Sequence, residues 1–203
     1  RPQASRVDVG GGSVTHLRSA EWVVAPIPDH GSAVRLIEAW HYSRSAPNTS
    51  TYRHGLYRAD MPMGDPYGVA LWIPPTRAAA ETVANDWRGV LALSRLVVAP
   101  DMPTNSASFL MGRSMKAIDR KRWHTLLTYA DTGEGHTGAI YRATNWTELG
   151  SVPAGDTWVG FDGRQRGRKR GGRTYTADEM RALGFTRRPN LPKIKFVHRE
   201  AGA

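Results

Sequence analysis

"RGVLALSRLVVAP", residues Arg88 to Pro100, running on through "DMPTNSASFLMGRSMKAIDRKRW" to Trp123, decides how this chain folds. The first piece is the most continuous apolar run in the sequence, as expected of a central strand buried on both faces. The second begins with a Pro-containing polar loop. Asn105 or Ser106 can then cap a helix in which Met111, Met115 and Ile118 recur at helical spacing. The opposite face of that helix carries Arg113, Lys116, Arg120 and Lys121.

Working outward, elements alternate. Glu21 to Ile27 ("EWVVAPI") reads as a strand, and Ser32 to Tyr42 ("SAVRLIEAWHY") as a short helix with Val34, Ile37 and Trp40 or His41 on one face. "SAPNTSTY" is loop by its Pro, Asn and Ser content. "TYRHGLYR" and "YGVALWIPP" follow as strands, and "ADMPMGDP" supplies the turn of a meander. Beyond the central segment, "HTLLTYAD" is a strand, "HTGAIYRATN" a short helix, and "TELGSV", "TWVGFDG" and "KIKFVHR" are strands. This alternation predicts an α/β fold as one domain over residues 1–203, its sheet of mixed strand direction and its helices on both faces.

The composition, with 40% hydrophobic and 23% charged residues, is that of a folded protein. No apolar run reaches the roughly 18–20 residues of a membrane span, and the N-terminus lacks the order of a signal peptide, so a cytoplasmic protein is expected. The absence of Cys excludes disulfides, thiolate metal sites and Cys nucleophiles. Two segments are biased: the Gly-rich stretch at residues 9–13, and "RQRGRKRGGR" from Arg164 to Arg173. The second holds six cations (Arg164, Arg166, Arg168, Lys169, Arg170 and Arg173) with no acid, inside a basic Arg/Gly loop at 162–173. Like charges at that density suit a flexible loop that meets a polyanion, nucleic acid before an acidic membrane.

Several polar residues fall where a site can form. Arg95 interrupts the central strand, and alternation places it with Leu93 and Val97 on one face, where a buried cation calls for a carboxylate or a ligand. Asp131 ends a strand at the carboxyl edge of the sheet, where ligands gather. It can be a base, a substrate anchor, a metal ligand or a cap. His41 and Tyr42 end the first helix just before a loop. His41 and Asp131 together suit an Fe(II)-like ion, with His54 or His136 as third ligand, or each His lies on the surface. Asn145 can bond a base or a donor, or close a helix with Trp146 in the core.

Two stretches carry a resemblance. "LSRLVVAPDMPTNSASFLMG" (Leu93 to Gly112) is similar to the strand, pyrophosphate loop and helix of GNAT-type acyltransferases, and "AIYRATNWTELG" (Ala139 to Gly150) to their later Tyr-bearing stretch. The closer resemblance is to the Mom family of bacteriophage DNA modification proteins, which shares the GNAT-like fold. It runs from about Ala39 to Gly150 through "WHYS" (Trp40 to Ser43), "LSRLVV" (Leu93 to Val98), the Asn-Ser-rich loop, "YADTGEGHTGAIYRATNW" (Tyr129 to Trp146) and "ELGS". What the resemblance implies is a GNAT-like, mostly antiparallel sheet and an enzyme that carbamoylmethylates the exocyclic amine of adenine in duplex DNA, shielding phage DNA from restriction in the cytoplasm of the infected host. It implies catalytic roles for His41, Tyr42, Asp131 and Tyr141, the last as the phenol that protonates a leaving group. Arg95, Asn105, Ser106, Ser108, Ser114 and Asn145 are then donor- or substrate-binding; the Arg/Gly loop is not part of the match, and its charge is what suits it to DNA. GNAT enzymes place glycines and Arg or Gln at the pyrophosphate loop. Here Pro103, Ser106 and Ser108 stand at those positions, a departure from the coenzyme A pattern.

Acyl transfer from acetyl-coenzyme A does not yield a carbamoylmethyl group. A glycine-derived donor such as glycyl-tRNA has the right two-carbon and amide pattern, so tRNA joins double-stranded DNA among the expected partners. A homodimer is allowed and no membrane is expected. Two other readings stand beside this one: an ordinary GNAT acyltransferase using acyl-coenzyme A, and a DNA-binding module without catalysis.

Overall fold

Strands β1 (Trp22–Pro26), β2 (Tyr52–Arg58), β3 (Gly68–Ile73) and β4 (Val90–Val98) follow one another antiparallel, as the meander requires. The computed structural model describes residues 16–62 and 64–199, so the Gly-rich stretch at 9–13 lies outside it. β5 (Thr125–Asp131) lies beside β4 and parallel to it. Strand β6 (Thr147–Val152) forms the far edge, and the last strand, Lys193–Arg199 (β12), inserts antiparallel between β5 and β6. The sheet order β1-β2-β3-β4-β5-β12-β6 puts β4 fourth of seven, the central place its apolar run predicts.

Helices cover both faces. α1 (His30–Trp40) buries Ala33 and Ile37 against Tyr57, Val69 and Leu71, and α2 (Arg77–Glu81) sets Ala80 on Val90 and Leu127 of the same sheet face. On the other face, α3 (Ser106–Lys116) buries Leu110, Met111 and Met115 against Leu56, Trp72, Leu93 and Leu126, and α4 (Ala139–Arg142) adds Ile140 and Tyr141. Each fully buried side chain of this kind contributes about 1.5–3 kcal/mol. α1 starts at His30 because the Asp29 carboxylate accepts the Ser32 N–H at 2.7 Å, two residues earlier than its apolar periodicity alone suggests.

Two irregularities in β4 create the functional geometry. A bulge shifts its register against β3, so that Trp72 pairs with Leu93 but Leu71 with Arg95. Leu93 therefore packs in the α3 core, whereas Val97 packs on the α1 face. Strict alternation places Leu93 and Arg95 together; the extra residue at Ser94 turns Arg95 to the opposite face, with Val97. The second irregularity is a splay. β4 pairs with β5 only through Val90–Ala92 and Thr125–Leu127, so the carboxyl halves of the two strands separate. Thr128 Oγ1 donates across the opening to Leu93 O at 3.2 Å.

Residues 153–192, between β6 and β12, build an excursion over this carboxyl edge. Its strands β7 (Thr157–Val159), β8 (Gln165–Arg166) and, later in the chain, β11 (Thr186–Arg188) form a small sheet. Strands β9 (Lys169–Arg170) and β10 (Arg173–Thr174) form a hairpin before α5 (Ala177–Ala182). Gly171 and Gly172, at φ +55° and +77°, make the two-residue hairpin turn, which needs positive φ at both positions. Part of the Arg/Gly segment expected as a flexible loop thus pairs as a short hairpin. Backbone pairing and local acids offset the repulsion among its cations.

Candidate active site

α1 ends at Trp40. His41 is extended while its N–H still bonds Ile37 O at 2.9 Å, and this break sends His41 and Tyr42 toward the splay. His41 is 8% exposed. The Ser43 N–H donates to its Nδ1 at 3.1 Å, and the Ser43 hydroxyl lies 2.9 Å from the same atom, so the proton of the neutral ring is assigned to Nε2. Burial, with the nearby charges of Arg95, His136 and Lys193, pushes its pKa down to about 3. His41 is a neutral donor at physiological pH.

The Tyr42 hydroxyl donates to Asp131 Oδ2 at 3.4 Å, and Lys193 Nζ lies 2.9 Å from that oxygen. The other oxygen of Asp131 accepts the Gly133 N–H at 3.1 Å, the cap of the turn after β5. Burial, then the charge of Asp131, raises the Tyr42 pKa, so its phenol keeps its proton. Arg95 comes to the same place from the bulge. Its Nε donates to Ser45 O and its Nη1 to Ser94 O, each at 2.7 Å, and burial lowers its pKa. These bonds run to carbonyls and leave its charge uncompensated.

Tyr141 approaches from the opposite face of the sheet. Its ring sits 5.0 Å from Phe196 and 5.8 Å from Trp146, and Thr128 Oγ1 lies 3.4 Å from its hydroxyl. Burial raises its pKa, so it too remains a protonated donor. In front of it lies a cleft of about 390 Å³, bounded by Leu96 and Val98 of β4, Ala107 of α3 and residues Gly135–Tyr141. Gly138, at φ +80°, packs so closely on Phe196 that a Cβ there would lie 2.3 Å from the ring. That fit presses α4 onto the sheet and fixes Tyr141.

The remaining candidates lie elsewhere. Asn105 engages Leu17, accepting its N–H at 2.6 Å, and the Ser108 hydroxyl bonds back to Asn105 O at 2.9 Å. Ser106 is fully buried, and its hydroxyl has no hydrogen-bond partner among the described residues. Ser114 is also fully buried: Trp72 Nε1 donates to it at 2.7 Å, and it lies 2.7 Å from His54 Nδ1. Asn145 is exposed at φ +63°, where it ends α4, and Trp146 enters the core.

The basic segment adjoins the site. Gln165 N–H bonds Ser43 O at 3.4 Å, and Arg164 pairs with Glu38 of α1 at 2.9 Å. Arg166 pairs with Asp162 at 3.0 Å and Arg173 with Glu179. Arg168 and Lys169 present their side chains to solvent, with no acid bonded to either among the described residues. On the other flank, Arg188 pairs with Glu134 at 2.8 Å, so the excursion is tied to both sides of the splay.

The residues do not fit the Fe(II) site. Lys193 already supplies a cation to Asp131 Oδ2, His41 Nδ1 faces Ser43, and His54 is turned to Ser114 on the other face of the sheet. Among the described residues no three potential metal ligands stand together. Lys193 and Thr128 carry no motif that marks them in the sequence. Lys193 alternates with Lys195 and Val197 in a late strand, but only the insertion of that strand beside β5 brings it to Asp131.

The splayed β4–β5 pair, the bulge beside it and the Tyr-bearing α4 define a GNAT-type fold, and solved structures agree. A spermidine N-acetyltransferase from Vibrio cholerae superposes with a TM-score of 0.53 at 10% identity, covering 89% of this chain and 95% of that one. A ribosomal-protein alanine N-acetyltransferase from Escherichia coli gives 0.52 at 11% identity, covering 90% and 96%. The NatC complex bound to Gag peptide and CoA gives 0.50 at 10% identity, covering 89% and 99%. Within that fold, the chain belongs to the Mom protein family, which matches residues 21–182. The methylcarbamoylase Mom of Escherichia phage Mu is 29% identical over 123 residues, 57% of this chain; the match spans about half of that relative, 48% of its length.

Proposed function

We propose that this chain transfers a carbamoylmethyl group to the exocyclic amine of adenine in double-stranded DNA, protecting phage DNA from host restriction. The observation that carries this reading is the meeting of two protonated phenols and one ion-held carboxylate at the splay, beside an ordered basic hairpin. Tyr42 and Asp131 lie on the α1 face and Tyr141 on the α4 face. Family membership and the name of the phage Mu relative support the choice of substrate.

In this reading the amine attacks an activated carbonyl carbon held in the cleft before Tyr141. Asp131 accepts the proton lost by the amine, and the protonated phenol of Tyr141 donates to the leaving group. Tyr42 holds Asp131 through its phenol, and the neutral His41 ring packed on Tyr42 adds a donor on the same flank of the splay. A glycine-derived donor such as glycyl-tRNA fits the product. Aminolysis of a glycyl ester gives a glycyl amide, an isomer of the carbamoylmethyl amine. Attack of the glycyl amine on the ring carbon, with cleavage of the original carbon–nitrogen bond, converts one into the other without gain or loss of atoms. The Pro103, Ser106 and Ser108 loop is consistent with a donor other than coenzyme A.

Cells expressing the chain and fed isotope-labelled glycine or labelled acetate test both halves of the reading. Mass spectrometry of their DNA nucleosides is expected to show glycine carbon and nitrogen in the modified adenosine. A modified adenosine carrying acetate label alone would favour an acyl-coenzyme A route. DNA bound but unmodified would favour a binding module.

A further inference from the structure

The cleft before Tyr141 has a counterpart on the other face of the sheet. This second cleft, of about 440 Å³, lies between α2 and the segment following β6. Its floor comes from the antiparallel pair β5 and β12, in which Tyr129 stands opposite Lys195 and Asp131 opposite Lys193. Alternate residues of a strand share a face, so these four side chains project together. Lys193 lines the cleft while its ammonium holds Asp131 at 2.9 Å, so one side chain joins the cleft wall to the reaction centre.

Its chemistry is one-sided. Thr82, which caps the end of α2, forms one wall and Pro153 and Ala154 the other, and among the described residues no acid lines it. Lys195 Nζ donates to Thr82 Oγ1 at 2.9 Å, a neutral partner that does not cancel its charge. β12 also bulges against β6 between Lys195 and Phe196, with Gly150 at φ +92° opposite Lys195. Bulges of this kind re-aim a side chain beside a site. Lys193 is balanced by Asp131, so Lys195 is the one cation of the lining without an acid beside it among the described residues. With a half-buried phenol ring and apolar walls it suits a flat ligand carrying a single anionic group. The volume falls within the roughly 300–1,000 Å³ of small-molecule sites.

We infer that this cleft receives the acceptor nucleotide extruded from the duplex. The base lies against Tyr129 and Pro153 with its amine toward Asp131, and the adjoining phosphate meets Lys195. The inference rests on the DNA-modification reading above, because only extrusion brings a stacked adenine into a recess.

A duplex carrying 2-aminopurine at an adenine that the wild-type protein modifies tests it, since that base brightens when unstacked. Binding is followed separately by anisotropy, and melting temperature confirms that each variant folds. Wild-type protein is expected to raise the fluorescence. Ala154→Trp, which fills the cleft from an exposed loop, is expected to abolish the rise while the duplex still binds. Lys195→Glu is expected to raise KM for the duplex about tenfold at unchanged melting temperature. A fluorescence rise undiminished in both variants, or none with bound wild-type protein, overturns the inference while DNA modification stands. Duplex extrusion intact with binding of aminoacyl-tRNA lost would assign the cleft to the donor and overturn it equally. A wild-type protein that leaves DNA unmodified sinks the underlying reading itself.

Discussion

His41 shows how a single buried ring ties stability to pH. In the unfolded chain it titrates near the ordinary value of 6.5, and in the fold near 3. Between those values the unfolded state binds the extra proton, so the contribution is complete above about pH 6.5 and is lost as pH falls toward 3, at up to about 1.4 kcal/mol per pH unit. His54, also lowered by burial, acts with the same sign. Denaturant midpoints measured from about pH 7 down to about pH 4 should therefore fall, and fall less steeply in His41→Asn; equal slopes would contradict the burial argument. For Tyr141, the ring packs on Phe196 and Trp146, and the proposed role falls on the hydroxyl alone. Tyr141→Phe should leave the melting temperature nearly unchanged and lower the modification rate by about 10²–10⁴-fold. Tyr141, Asp131, His41 and Tyr42 are legible in the sequence because each sits at an element end beside a recognisable motif. Lys193 is not, since its meaning depends on a strand inserted from the far end of the chain. The face of Arg95 is not legible either, because alternation does not reveal a bulge.

Among the elements, α4 is held by a close backbone fit. A Cβ at Gly138 would meet Phe196 at 2.3 Å, and φ +80° disfavours any side chain there. Gly138→Ala should destabilise the fold by about 1–3 kcal/mol from overpacking alone. It should also reduce activity by moving Tyr141, which a denaturation curve and a rate measured on the same sample will show. The β9–β10 hairpin is open to a different test. Removing one cation that neutralises a phosphate should make the slope of log affinity against log salt shallower by about 0.9. Arg168→Ala and Lys169→Ala are expected to do so, and Arg166→Ala less, because Asp162 already holds Arg166. Identical slopes in all variants would remove the hairpin from the DNA interface. The apolar β4 run makes the central strand readable, and "TWVGFDG" gives β7, whereas the other strands of residues 153–192 are too short and too charged to carry a periodic signal. Their order comes from glycine turns and ion pairs that only the folded chain brings together.

At the scale of the whole molecule, one departure from regular pairing organises the rest. β4 and β5 part after three residue pairs, and the gap admits Tyr141 from one face and Asp131, Tyr42 and His41 from the other. The excursion between β6 and β12 bridges both flanks of that gap through Gln165 and Arg188, carrying the exposed cations to its rim. In the proposed reaction a donor on the α4 side and a base on the α2 side meet across the sheet. Nucleoside mass spectrometry of plasmid DNA from cells expressing the wild-type chain, Tyr141→Phe or Asp131→Ala tests this most directly. The account predicts an adenosine carrying an added carbamoylmethyl group with the wild type and its near-complete loss in both variants. Unmodified adenosine from cells making folded wild-type protein, or undiminished modification in both variants, would contradict it.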